Sequence, residues 1–173
     1  IAKKPAQLTH IESAAVALIG LTALVSVEDT LQLKKGETIL IQGGAGGVAS
    51  FAIQIAKHIG ARVITTASAA NHAYLKTLGP DVIIDYNKDD FTKAVSNIDA
   101  VFDTVGGEVA MKAYDVLKPG GRAAFIASGA KAPATTRSDV KGLRPQVGRD
   151  RAHLDRVRSL IDSGAVKVPE ITV

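Results

Sequence analysis

The stretch Ile39–Ser50, ILIQGGAGGVAS, runs from apolar residues into four glycines within five positions and then into a second apolar segment. ETILIQ (37–42) follows the turn signal Lys35-Gly36 and reads as a short buried strand. VASFAIQIAKHIG (48–60) reads as a helix that stops at Gly60. Between them, Gly44, Gly46 and Ala49 fit the pattern G-x-G-x-x-G/A. In that pattern the first glycine permits a sharp turn and the second lets backbone approach a pyrophosphate. The small third residue lets helix and strand pack closely. The following helix turns unpaired N–H groups and its positive dipole end toward the turn, an arrangement that attracts phosphate. A turn shaped for packing alone, or one of flavodoxin or methyltransferase type, is the competing reading.

Outward from this turn, strand and helix signals alternate. Glu12 to Val27 reads as a buried helix. ARVITTAS (61–68), DVIIDY (81–86), IDAVFD (98–103) and RAAFIAS (122–128) read as strands. NHAYLKTLG (71–79), KDDFTKAVSN (88–97), the segment from Glu108 stopped by Pro119-Gly120-Gly121, and RDRAHLDRVRSLIDSG (149–164) read as helices. The strands are continuously apolar, which predicts an α/β fold: a doubly wound parallel sheet of Rossmann type with helices on both faces. Ser128 to Gly148, rich in Ala, Pro, Gly, Thr and Arg, is expected to form an irregular loop or lid.

At 173 residues and 46% hydrophobic content, the chain can bury one sizeable core. With no cysteine it has neither disulfides nor thiolate metal ligands, which suits a reducing compartment, and a cytoplasmic location is expected. Ser13–Val27 is an uncharged apolar run shorter than the ~20 residues that span a bilayer, so no membrane partner is expected. Lys131–Arg158 holds eight Lys or Arg against three Asp, a local excess of +5 in a chain of net charge +4. No aromatic interleaves these charges, so a solvated surface is the expectation and nucleic-acid binding is not.

An NAD site normally carries an acid about 20 residues past the glycines, at the end of the second strand. Here ITTASAANH (64–72) stands there, and no acidic residue occurs between Glu37 and Asp81. A carboxylate would repel a 2′-phosphate, whereas the hydroxyl, amide and imidazole of Ser68, Asn71 and His72 accept one. NADP(H) is therefore expected as cofactor. Capping of the next helix is the alternative task for Ser68 and Asn71.

Together, GLTAL (20–24), GETILIQGGAGGVASFAIQIAKHIGARVITTAS (36–68), LKTLGPDVIIDY (75–86), FDTVGG (102–107) and LKPGGR (117–122) resemble the quinone oxidoreductase branch of the medium-chain dehydrogenase/reductases. The resemblance implies that residues 1–173 are the NADP(H)-binding domain of a larger two-domain enzyme. A GroES-like catalytic domain would complete its active site, and this chain alone would be inactive. It places Thr22 near the nicotinamide, Gly46, Gly47 and Val48 at the pyrophosphate, and Ser68, Asn71 and Tyr86 around the 2′-phosphate. Thr104 to Gly106 would line the cofactor groove, and Ala127 and Ser128 would approach the nicotinamide. Family members often carry Lys or Arg where Asn71 stands. GAVKVPEITV (164–173) resembles the point where the family returns to the other domain, and homodimers joined through the last strands are implied.

Zinc-dependent relatives place a metal ligand four positions before the residue matching Thr22. That position is Leu18, and His10, His58, His72 and His153 show no ligand spacing, so a zinc-independent enzyme is expected. The implied reaction is hydride transfer to a quinone or α,β-unsaturated carbonyl. No acid–base pair or nucleophile stands out. Asp103 and Ser128 have suitable side chains but no evident partner. The enoyl-reductase module of a fatty-acid or polyketide synthase is the nearest alternative, followed by a non-catalytic nucleotide-binding or RNA-binding module.

Overall fold

The computed structural model describes residues 2–148 and 150–168. The last residues of the GAVKVPEITV segment and Arg149 lie outside them. Six strands form one sheet in the order β3-β2-β1-β4-β5-β6, every pairing parallel. They are β1 (Thr38–Gln42), β2 (Arg62–Ala67), β3 (Val82–Asp85), β4 (Ile98–Asp103), β5 (Leu117–Phe125) and β6 (Lys141–Leu143). The helices are α1 (His10–Leu24), α2 (Gly47–Ile59), α3 (His72–Leu78), α4 (Phe91–Ala94), α5 (Gly107–Lys112) and α6 (Arg151–Asp162). This is the expected doubly wound α/β architecture, and its order reverses between β1 and β4.

Two cores sandwich the sheet. Ile39, Ile41, Val63 and Phe102 pack with α1, α2, α3 and α6 on one face. Leu40, Ile64, Val101, Ala123 and Phe125 pack with α5, Tyr114 and Val140 on the other. The apolar strand residues read as continuous runs because alternate side chains enter different cores, both dry.

α1 starts at a capping box in which Thr9 and Glu12 satisfy each other's backbone N–H groups. Past Leu24 the chain widens into a π-helical stretch, Val25–Thr30. The two together run 21 residues and are apolar enough in length and composition to cross a bilayer. Here they form a core helix, with Val16, Leu21, Ala23, Leu24 and Val27 buried against α2 and α6. Gly20 lets α6 approach, since a Cβ there would come within 2.9 Å of Val157.

Three sequence expectations need correction. β5 begins at Leu117, not Arg122, and α5 ends at Lys112 without reaching Pro119. The Pro119-Gly120-Gly121 segment is a bulge inside the strand: the register passes from Ile98–Leu117 to Ala100–Arg122, with Gly120 at φ 78°. α4 is a single turn within the expected 88–97 helix.

Ser128–Gly148 is not wholly irregular, because it contains β6 on the sheet edge. Arg137 donates to the carbonyls of Tyr114 and Leu117 at 2.7 and 2.9 Å, and the Tyr114 hydroxyl donates to Pro133 O at 2.7 Å. These long-range bonds anchor the segment, and local sequence carries no trace of them.

Candidate functional site: the glycine cleft

In folds of this class the ligand crevice lies outside the C-terminal ends of the strands at the order reversal, here the ends of β1 and β4 beside the glycine turn. Gly43, outside the motif as read from sequence, makes the turn itself at φ 75°. Its N–H donates to Thr66 Oγ1 at 3.1 Å and its carbonyl accepts from Gly46 N at 2.9 Å. Gly44 is tied to β2 through Thr66 O at 2.9 Å, and a Cβ there would overlap the buried Thr65 side chain. So Gly44 serves packing, while the exposed Gly46 and Gly47 form the open lip. The motif signal came from glycine spacing alone. The positive φ that distinguishes Gly43 is a property of the folded turn.

Gly46 caps α2 in extended conformation, and no acid stands in the first turn. Among the described residues, the N–H groups of Gly47, Val48 and Ala49 find no acceptor. Three converging donors at the positive end of a 13-residue helix, with no carboxylate nearby in its first turn, suit a diphosphate. A side chain at Gly46 would crowd Gly43 O, at 3.3 Å from its Cβ. The residues present therefore fit the pyrophosphate of a dinucleotide.

Across the crevice, Thr104 Oγ1 donates to Gln42 O at 2.7 Å, which locks the end of β4 to the end of β1. Asp103 is fully buried, and its carboxylate accepts from Gly106 N at 3.0 Å and Val105 N at 3.2 Å. Burial pushes the Asp103 carboxyl above the usual range, and the two backbone N–H groups only partly offset it. Gly106, at φ 82°, lies against Ala127, whose carbonyl would be 2.8 Å from a Cβ at 106. Ser128 Oγ donates to Lys131 O at 3.0 Å. Thus Gly43, Thr104, Gly106 and Ala127 form one continuous wall. Thr22 stands on α1, one turn past Ile19, which touches the Gly47 position, and its hydroxyl donates to Leu18 O at 2.8 Å.

At the end of β2, the Asn71 amide donates to Ser68 Oγ at 3.1 Å, and neither side chain caps a helix. The capping alternative fails, and both groups keep hydrogen-bonding capacity toward solvent. Tyr86 follows β3 and is 59% exposed, so it is not packed on the sheet edge. The Ala67–Asp85 register sets Ser68 and Tyr86 beside each other. It also brings an acid, Asp85, to the neighbouring strand end, which linear spacing did not reveal. Its carboxylate is buried and accepts from Asn87 N at 3.1 Å. His72 Nε2 is buried and has no hydrogen-bond partner among the described residues.

The basic segment is largely consumed internally: Arg137, Arg151, Arg156 and Arg158 each face a carboxylate. His153 bridges Asp150 and Asp29 at 2.6 and 2.8 Å. Among the described residues no group of three His, Cys, Asp or Glu is placed to hold a metal ion.

A family model described as zinc-binding dehydrogenase matches residues 47–147. The chain is 37% identical over 170 residues to a 2-methylene-furan-3-one reductase of Solanum lycopersicum, covering 96% of this chain and 41% of that protein. It is 33% identical over 169 residues to a chloroplastic NADPH-dependent alkenal/one oxidoreductase of Arabidopsis thaliana, with 96% and 41% covered. The quinone oxidoreductase structure from Coxiella burnetii superposes with a TM-score of 0.88 at 32% identity, covering 96% of this chain and 54% of that one. The chain thus spans about half the length of the relatives it matches. With its sheet order, glycine turn and family match in agreement, the chain belongs to the zinc-binding dehydrogenase family, in the quinone oxidoreductase branch of the medium-chain dehydrogenase/reductases.

Proposed function

We propose that this chain is the NADP(H)-binding part of a zinc-independent oxidoreductase that reduces quinones or α,β-unsaturated carbonyls. The observation that carries the reading is the set of free N–H groups of Gly47, Val48 and Ala49 over an open glycine lip. These groups hold the pyrophosphate, with Gly46 keeping the approach clear. Thr22, Thr104, Gly106, Ala127 and Ser128 flank the nicotinamide end. Ser68 and Asn71 hold the 2′-phosphate, supported by their uncapped side chains, and Tyr86 covers the adenosine. When bound, the reduced nicotinamide supplies a hydride; the protein supplies position and a dry wall. Ala100, Val101, Phe102, Ala124 and Phe125 beneath the crevice keep that wall rigid. A second, GroES-like domain completes the substrate side, a reading supported by the 41% and 54% shares of the relatives that this chain covers. The exposed Lys141 and Gly142 on edge strand β6 support homodimer formation through that edge.

Calorimetric titration with NADPH and, separately, NADH tests the cofactor. NADPH is expected to bind at least about tenfold tighter, a difference of ~1.4 kcal/mol. Asn71→Asp sets a carboxylate against the 2′-phosphate and should abolish that preference. Equal affinities in the unaltered chain would sink the 2′-phosphate assignment, and absence of binding by either would sink the dinucleotide reading.

A further inference from the structure

The last row of the sheet runs Gln42, Asp103, Phe125 across β1, β4 and β5. The Ala124–Leu143 pairing extends that row by one step to Arg144, just past the end of β6. Arg144 Nη1 donates to Phe125 O at 2.5 Å, which continues the ladder where strand pairing stops. Its guanidinium is thereby held at the C-terminal edge of the sheet, on the last residue of β5 and two positions before Ala127.

What distinguishes this arginine is its charge balance. Arg122, Arg137, Arg151, Arg156 and Arg158 each meet a carboxylate, and Arg62, which meets none among the described residues, is exposed to solvent. Arg144 is half-buried and, among the described residues, has none within ion-pair distance. Asp103 shares the row on β4 but forms no ion pair with Arg144. Its oxygens are turned to Val105 and Gly106. A partly desolvated cation without a counter-ion is costly unless an anion forms beside it. The guanidinium has several N–H donors beyond the one given to Phe125 O.

We propose that Arg144 stabilises the oxyanion that develops on the substrate at the acceptor end of the crevice. This rests on the reading of the chain as part of an NADPH-dependent enone reductase. In that reaction the C–H bond of the dihydronicotinamide breaks and a C–H bond forms at the enone β-carbon. The C=C π electrons shift so that the carbonyl oxygen becomes an enolate oxygen. The cofactor is oxidised by two electrons, the enone is reduced, and a proton from water completes the saturated ketone at the α-carbon. Arg144 donates to the enolate oxygen, whose charge is absent in the ground state. Its effect therefore falls on turnover more than on substrate binding.

The test compares the intact protein with two variants, Arg144→Lys and Arg144→Gln. Removal of the charge in Arg144→Gln should lower kcat about 10²–10³-fold on an enone, with NADPH affinity unchanged and Arg144→Lys recovering part of the loss. A second readout excludes a purely structural effect: p-nitrophenol is titrated onto the protein saturated with NADP⁺ and its phenolate absorbance followed against pH. Bound phenol should ionise at lower pH than free phenol with Arg or Lys at 144, and not with Gln. Unchanged kcat, or the same phenol ionisation in all three proteins, overturns the proposal. A parallel loss of NADPH affinity and kcat in Arg144→Gln overturns it too, by making Arg144 a structural tie to β5. If NADPH fails to bind the unaltered protein, the cofactor reading itself falls and this inference with it.

Discussion

Gly44→Ala tests whether the glycine turn is constrained by packing at its second residue. A Cβ at position 44 would lie 3.2 Å from both Cβ and Cγ2 of Thr65 and would overlap its Oγ1. Thr65 has no room to retreat: it is fully buried, and its hydroxyl donates to Ile41 O at 2.7 Å between β1 and β2. Overpacking of this kind costs about 3 kcal/mol, less a fraction of 1 kcal/mol from the stiffer unfolded chain. For a chain of this size that is a fall in Tm of about 6–12 °C. Thr65→Ala alone loses one hydrogen bond and one buried methyl, about 2 kcal/mol. If the clash is the cause, the double variant should cost only about 2 kcal/mol, for a coupling of about 3 kcal/mol. Urea denaturation of the four proteins measures the cycle, with a constant m-value expected. Additive losses near 5 kcal/mol, or a Gly44→Ala variant as stable as the parent, would refute the assignment of Gly44 to packing.

Arg122 grips Glu37 through both carboxylate oxygens, at 2.7 and 3.0 Å, and also donates to the carbonyls of Leu31, Gln32 and Asp99. Arg122→Met should therefore cost about 3 kcal/mol in a urea titration. Burial raises the Glu37 pKa, but the hydrogen bonds from Arg122 and Lys34 and the Arg122 charge outweigh it, leaving the pKa below the ordinary carboxylate value. That stability is present above Glu37's unfolded pKa and lost as pH falls through the folded one, so the variant should show a shallower acid limb. His153 behaves oppositely: hydrogen bonds to Asp150 and then Asp29 raise its pKa. Its contribution is full below the ordinary value of about 6.5 and is lost as pH rises through the raised one. Melting temperature followed from mildly acid to alkaline pH should fall in the parent and flatten in His153→Gln. Gln42→Leu should raise the urea midpoint by about 1 kcal/mol equivalent or leave it unchanged, because both amide atoms of Gln42 are buried without partners among the described residues. A clear loss of stability would mean that the amide has a partner after all.

The site was legible where chemistry sits close in sequence. The 43–49 turn, the stops at Gly60 and Gly79, and the absence of acids between Glu37 and Asp81 are local, and the folded chain keeps them, with both glycines at positive φ. Assignment of tasks within the turn was not legible. Gly44 reads as the turn glycine by spacing, yet Gly43 takes the left-handed conformation because Thr66 captures its N–H from the next strand. Likewise Asp85 reaches the end of β2 only through the Ala67–Asp85 register, and Arg144 the end of β5 only through Phe125 O.

By itself the sequence determined the parallel α/β alternation, because runs such as TILIQ and IDAVFD suit strands with both faces buried. It also determined where the glycine turn falls, because its four glycines lie within five consecutive positions. Tertiary structure alone decided the sixth strand. Lys141–Leu143 has no apolar run of its own; it is a strand because it pairs with β5, and position 142 must be glycine because the Tyr114 side chain leaves no space for a Cβ. It also decided which charged groups are spent and which remain. Arg137 and Arg144 look alike in a basic segment, but one is paired with Asp139 and the other, held on Phe125 O, meets no carboxylate among the described residues. Ion pairing depends on distances that close only after the sheet has formed, so no reading of the chain in one dimension separates the two.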